Sequence, residues 1–195
     1  MNSILNRSLF FVKEHVGLLK AANNYDVLDP ESKDIIMTCR EPNLGFFTKL
    51  FRFSQYKRYT PFNVEINTPK GDRILTVKRG VNIFLSRVEV FDENNNLVGV
   101  FQQKFTLLKS KFDVLSPKGD KLCSLKGQFL GWNFQFVNGN EEYAKVSKKW
   151  AGLGKELFTT ADNYMLQIHD NVPKDDPLRM LILAAVMCID MVLKE

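Results

Sequence analysis

Hydrophobic and polar residues alternate along most of the chain, which is the pattern of a β-strand with one buried face. Two segments, 62–80 and 112–127, follow one plan: an alternating strand, a Pro-Lys-Gly-Asp turn and a second strand that ends in basic residues. Three looser copies, 25–39, 88–104 and 134–147, turn through clusters of Asp, Asn, Gly or Pro. Because proline and glycine favour tight turns, the pattern predicts five β-hairpins in series.

The C-terminal stretch breaks this two-residue period. Residues 178–193 are apolar at nearly every position, and Asp176 and Pro177 are residue types that cap and open a helix. These sixteen residues would form about 24 Å of helix. They are fewer than the roughly 20 apolar residues that are needed to cross a bilayer core. The run also carries Asp190 near its end. The stretch therefore predicts a helix buried inside the protein, with a short membrane anchor as the alternative.

Five hairpins in series would expose two sheet edges and one apolar face. Closing the sheet around the apolar helix covers both, so the sequence predicts an all-β protein with one central helix at 177–193, in a closed antiparallel barrel. Because no linker interrupts the pattern, we expect residues 1–195 to form a single domain. Asp190 would then need a partner, either a Lys or Arg at the barrel mouth or backbone amides there, in a structural role.

Composition narrows the choice of partners. The net charge of +5 favours phosphate-bearing partners, which are anionic lipids and nucleic acids.

The three cysteines and two histidines lack metal-ligand spacing, and an odd, sparse cysteine count suits a reducing compartment. The first residues lack a signal-peptide pattern, so we expect a cytoplasmic protein or one on the cytosolic face of a membrane. No nucleophile elbow, phosphate loop or dinucleotide fingerprint occurs, and we expect no enzymatic activity.

Segment 44–59 falls outside the hairpin rhythm and mixes aromatic with basic residues. A short helix there would direct apolar side chains towards a membrane and cations towards phosphates. The candidates for membrane or lipid contact are Phe46, Phe47, Lys49, Phe51, Arg52, Lys57 and Arg58. Two alternatives stay open: an aromatic plug of the barrel end with solvated cations, and a nucleic-acid surface on which bases stack.

A second cluster gives a candidate basic patch, which consists of Lys145, Lys148, Lys149 and Lys155. Because such charges would alternate along a strand, the favoured interpretation is that these lysines simply face water. The competing interpretation is a surface for anionic lipid.

Three motifs stand in the C-terminal third: KVSKKWAG at 145–152, E-x-F followed by ADNY at 156–164, and the apolar run 180–191 with its Ile-Asp pair. They resemble motifs of the phospholipid scramblase family, which has the tubby-like fold, and a looser similarity covers 11–27. The resemblance implies about twelve strands around the C-terminal helix. It also implies phospholipid binding or translocation at the cytosolic face of the plasma membrane.

The resemblance is incomplete where scramblases bind calcium. Their acidic segment corresponds here to Asp162, Asn163 and Asp170, and Thr160 stands where the family motif begins with aspartate. Because Ca²⁺ takes six to eight oxygen ligands, so few carboxylates make a poor site. We therefore expect no cofactor, with calcium at these three residues as the metal candidate.

The function expected from the sequence is that of a scramblase-like protein that binds or translocates phospholipids, with an anionic phospholipid or membrane surface as its partner. The alternative is a soluble tubby-like module that binds a phosphoinositide, a nucleic acid or a protein and transports no lipid. The sequence specifies no oligomeric state.

Overall fold

The computed structural model describes residues 2–15, 24–42, 60–81, 84–105, 110–128, 132–148 and 163–193. Within them lie a short 3-10 helix, Ser3–Asn6, one α-helix, α1, Pro177–Leu193, and twelve strands. The strands are β1 Leu9–Glu14, β2 Tyr25–Leu28, β3 Ile35–Arg40, β4 Phe62–Asn67, β5 Arg73–Arg79, β6 Arg87–Asp92, β7 Leu97–Lys104, β8 Ser110–Leu115, β9 Lys121–Gln128, β10 Asn133–Asn138, β11 Glu141–Ser147 and β12 Asn163–Ile168. Each strand pairs antiparallel with its chain neighbours, and β1 pairs with β12 to close the barrel. The predicted closed barrel of about twelve strands with a C-terminal helix is confirmed.

The five predicted hairpins are β2–β3, β4–β5, β6–β7, β8–β9 and β10–β11. In the two Pro-Lys-Gly-Asp turns, Gly71 and Gly119 have φ angles of +95° and +92°. Their N–H groups donate to the carbonyl oxygens of Thr68 and Ser116, each at 2.9 Å. A left-handed glycine after a proline turn produces a bulge that matches the twist of the two strands. The repeated motif therefore fixes the register of both hairpins.

The connections divide between the two ends of the barrel. At one end, the turn end, lie the short connections within the five hairpins and the start of the connection from β12 to α1. The helix α1 runs from the turn end to the opposite end, the exit end. The residues that border the internal stretches outside the described part of the chain all lie at the exit end, and these stretches are 16–23, 43–59, 82–83, 106–109, 129–131 and 149–162.

The helix α1 forms the centre of the core. Asp176 caps it, since its Oδ1 accepts a hydrogen bond from the N–H of Leu178 at 2.8 Å. Every side chain from Leu181 to Ile189 is at most 1 % exposed. A Cβ on Gly99 of β7 would lie 2.9 Å from Leu181 Cδ1, so glycine lets the strand approach the helix closely. Within the described residues, no helix has the length and apolar character needed to cross a membrane.

Arg179 fastens α1 at the turn end. Its guanidinium donates to the carbonyl oxygens of Leu5, Arg7 and Val172 at 2.7, 2.6 and 2.9 Å. The side chain is only 3 % exposed, and burial lowers the pKa of the guanidinium. These contacts join the N-terminal segment, the connection before the helix and the helix itself.

Candidate functional site

The predicted membrane-contact segment connects β3 to β4. Phe46, Phe47, Lys49, Phe51, Arg52, Lys57 and Arg58 all lie outside the described residues. The strands on either side of the segment, β3 and β4, meet it at the exit end. The segment therefore joins the barrel at the exit end.

The structure divides the predicted basic patch. Lys145 lies on the outer wall of β11, between the buried residues Ala144 and Val146. Lys148 follows the end of β11, and its Nζ lies 3.9 Å from the ring centroid of Trp132. Lys149 and Lys155 lie outside the described residues. The two described lysines thus have different surroundings, and only Lys145 belongs to the wall of the barrel.

Strand register gives Lys145 basic neighbours that are distant in sequence. Lys104 pairs with Lys111, Lys111 with Lys126, Lys126 with Gln135, and Gln135 with Lys145. Directly paired residues on antiparallel strands point to the same face with Cβ atoms about 4.5–5.5 Å apart. This row crosses β7 to β11 on the outer wall near the exit end. We call its four lysines, Lys104, Lys111, Lys126 and Lys145, the lysine collar.

The charges of the collar are only partly neutralised. Lys104 contacts Asp113 at 3.3 Å, and Lys121 contacts the same carboxylate at 2.9 Å. Partial burial would raise the pKa of Asp113, but the hydrogen bonds from Lys121 and Lys104 hold it below its ordinary value. Within the described part of the chain, no carboxylate forms an ion pair with the other three collar lysines, which are Lys111, Lys126 and Lys145.

Three exposed apolar side chains lie beside the collar at the exit end. Val81, Phe84 and Phe105 are 76 %, 90 % and 76 % exposed. The first two follow β5, and Phe105 directly follows Lys104 at the end of β7. The N–H of Ser86 donates to Gln103 Oε1 at 2.9 Å, and the N–H of Gln103 donates to Ser86 O at 2.8 Å, which joins the two segments. We call these three residues the apolar rim.

The mouth of the barrel at the exit end contains a buried carboxylate held by tyrosines. The hydroxyl groups of Tyr25 and Tyr164 both donate to Asp190 of α1. Burial, together with the nearby charge of Asp190, raises the pKa of Tyr25 well above its ordinary value. Tyr164 packs against Trp132 with ring centroids 5.0 Å apart. Asp190 therefore fastens the helix at the exit end as Arg179 does at the turn end.

The two ends differ in charge. The connections at the turn end, which are 29–34, 68–72, 93–96, 116–120, 139–140 and 169–176, hold nine acidic and four basic residues. The lysine collar lies towards the other end. A barrel with one acidic end and a basic wall near the other is oriented by an external field, such as that of an anionic surface.

Comparison with known proteins agrees with this architecture. A sequence profile of the scramblase family matches residues 12–195. The chain belongs to the scramblase family. Its fold is similar to that of an Arabidopsis thaliana protein determined by X-ray analysis, with a TM-score of 0.52, 12 % identity, and coverage of 96 % of this chain and 90 % of that chain. No curated protein matches the sequence. Family membership indicates a phospholipid-related function, and the structural likeness establishes the tubby-like fold.

The residues that correspond to the scramblase calcium segment do not converge. Asn163 begins β12 at the exit end, whereas Asp170 follows β12 at the turn end. A six-residue strand is about 20 Å long, so these two side chains cannot ligate one ion. Asp162 lies outside the described residues. Among the residues that the structure describes, no three His, Cys, Asp or Glu side chains are grouped to hold a metal ion.

Sequence reasoning missed most of this candidate site. Lys104, Lys111 and Lys126 lie 19 to 41 residues before Lys145 in the chain and join it in one row only through strand register. The symmetric positions of Lys111 and Lys126 about one Pro-Lys-Gly-Asp turn were the available signal. The tyrosine partners of Asp190 had no such signal, because a barrel interior brings together residues from any strand.

Proposed function

We propose that this scramblase-family barrel is a peripheral protein that binds anionic phospholipid membranes through its exit end. The observation that supports this most is the apolar rim beside the lysine collar. Apolar side chains that enter the headgroup region and cations that meet phosphates are the two components of interfacial membrane binding. The proposed site of action is the cytosolic face of the plasma membrane, where anionic lipids are concentrated.

The expected energies suit reversible binding. Transfer of an exposed Phe side chain into an apolar environment contributes about 1.5–3 kcal/mol, and each basic residue near an anionic surface contributes about 1 kcal/mol. The loss of translational and rotational freedom on binding offsets part of this gain. Because both components are needed, binding should require anionic lipid and weaken as salt is added.

The proposal is surface binding and not translocation. The apolar helix α1 is enclosed by the barrel from Leu181 to Ile189, so its side chains are not available to lipid in this conformation. Arg179 and Asp190 hold it in place at the two ends. The proposal therefore needs no exit of the helix and no catalytic group.

Vesicle flotation tests the proposal. The purified chain is mixed with phosphatidylcholine vesicles, with or without phosphatidylserine, over a salt series. The double variant Phe84→Ser/Phe105→Ser is compared with Ile35→Ser, because Ile35 is an exposed apolar residue, 46 % accessible, at the turn end. We expect flotation with anionic vesicles only, loss in the double variant and no loss in Ile35→Ser.

Two results would contradict the proposal. Equal flotation of the double variant and the wild type would exclude the apolar rim from membrane contact. Binding to a single-stranded oligonucleotide without binding to any vesicle would replace the membrane by a nucleic acid as the partner.

A further inference from the structure

The centre of the lysine collar holds two like charges that face each other. Lys111 and Lys126 are directly paired on β8 and β9, so their Cβ atoms are about 4.5–5.5 Å apart. Their sequence neighbours Phe112 and Leu125 point into the core and are at most 1 % exposed, which directs both lysines to the outer wall. Like charges directly opposite on a sheet destabilise it, so an anion bound between the two lysines would stabilise the pair.

The groups around the pair leave this double charge in place. On the β7 side, Lys104 is joined to Asp113, which Lys121 also contacts. On the β10 side, the amide nitrogen of Gln135 donates to Glu142, and Glu142 also contacts His169 at 3.0 Å. Both nearby acids, Asp113 and Glu142, thus have basic or amide partners of their own.

The charge of the pair matches one class of phosphate. A phosphate monoester carries between about 1.5 and 2 negative charges at pH 7, with a second pKa near 6, and has three terminal oxygens. A phosphodiester carries a single negative charge. Two lysine side chains whose Cβ atoms lie about 5 Å apart can each bring an ammonium group to a different oxygen of one monoester, and charge-assisted contacts of this kind are strong.

We propose that Lys111 and Lys126 form a site for a phosphate monoester group, with Lys145 as an outlying third cation. The choice of a lipid as the source of this group rests on the proposed membrane function and makes it specific: a lipid whose headgroup ends in a phosphate monoester is preferred to a phosphodiester lipid at equal surface potential. A soluble phosphate monoester presents the same chemistry, and the test separates the two sources.

The test uses the full chain and three kinds of phosphatidylcholine vesicle. One contains phosphatidic acid, one contains phosphatidylserine at matched surface potential, and one contains neither. The double variant Lys111→Gln/Lys126→Gln is compared with Lys70→Gln/Lys118→Gln, which removes the same charge from two hairpin turns at the turn end. Affinities are measured by flotation or by surface plasmon resonance at constant ionic strength.

We expect the wild type and the turn-end variant to prefer phosphatidic acid vesicles. The Lys111→Gln/Lys126→Gln variant should lose roughly ten- to thirty-fold in affinity for them and a smaller factor for phosphatidylserine vesicles, so that its preference for phosphatidic acid disappears. Raising the pH from 5.5 to 7.5 should strengthen binding to phosphatidic acid, since the monoester gains its second charge. The phosphatidylserine series over the same pH range is the control for effects that do not come from the monoester.

Glycerol 3-phosphate separates the lipid from the soluble source. If it shifts the NMR signals of Lys111 and Lys126 at micromolar concentration without vesicles, the lysine pair binds the monoester group itself, and a failure to bind any vesicle would then count against the proposed membrane function alone. Equal affinity of the wild type for the two anionic vesicles, or an unchanged preference in the Lys111→Gln/Lys126→Gln variant, overturns the inference and leaves membrane binding by the apolar rim intact.

Discussion

Replacing Tyr25 by Phe tests how the central helix is held at the exit end. The change removes one hydroxyl and leaves the ring in place, so it creates almost no cavity. Tyr25 is fully buried, and its hydroxyl donates to the carboxylate of Asp190. A hydrogen bond to a charged group contributes about 1.5–3 kcal/mol, and a carboxylate that loses a donor in an apolar interior keeps its desolvation cost.

We therefore expect Tyr25→Phe to lower the free energy of unfolding by about 2 kcal/mol, which corresponds to about 4–8 °C in Tm for a chain of this size. Urea unfolding followed by circular dichroism measures the change at constant m-value. The control is Tyr143→Phe, because the Tyr143 hydroxyl accepts a hydrogen bond from exposed Asn138 at 3.3 Å. A loss of under about 0.5 kcal/mol is expected there.

Equal and small losses in the two variants would refute this reasoning. That result would mean that the Tyr25 hydroxyl contributes no more inside the barrel than a surface hydroxyl does. It would also remove the physical basis for concluding that the hydrogen bonds of Asp190 hold α1 in place at the exit end.

Three further predictions concern stability. Because the folded-state pKa of Tyr25 is raised, its contribution to stability is full below about pH 10 and falls at higher pH, so the alkaline loss of stability should be shallower in Tyr25→Phe. Gly127→Ala should lower the free energy of unfolding by about 1–3 kcal/mol in chemical denaturation, because the added Cβ would lie 2.2 Å from the Phe134 ring. The control is Gly80→Ala, whose Cβ would meet nothing within 4 Å and should change stability little. Equal effects of the two variants would contradict the predicted clash. Lys126→Gln should raise Tm in phosphate-free buffer of low ionic strength by relieving repulsion worth about 0.2–1 kcal/mol. A lowered Tm would show that the two lysines do not repel each other measurably.

The hairpins and the helix could be predicted because their signals are local. An alternating strand, a turn with proline and glycine, and a continuous apolar run each lie within about twenty residues. The closing strands β1 and β12 gave no such alternation. Phe10, Phe11 and Val12 are consecutive and all buried, and on β12 Asn163–Leu166 is buried throughout. Strands covered on both faces lose the period of two, so only the family resemblance pointed to β1.

The candidate site was less predictable because it depends on register and on exposure. Nothing in the residue pattern distinguished Phe84 and Phe105, which are exposed, from the other phenylalanines among the sixteen in the chain. Lys145 was identified, but its partners Lys111 and Lys126 belong to another hairpin. The expected partners of Asp190 were a cation or backbone amides, and the tyrosines Tyr25 and Tyr164 were missed.

The central claim is that the exit end faces the membrane, and site-specific labelling tests it most directly. The three native cysteines are buried, so a fluorophore can be placed selectively on Gly80→Cys at the exit end or Asn94→Cys at the turn end. Each labelled protein is mixed with anionic vesicles that carry a quencher on the lipid. The account predicts strong quenching at position 80 and none at position 94. Quenching at position 94, or equal quenching at both positions, would contradict it.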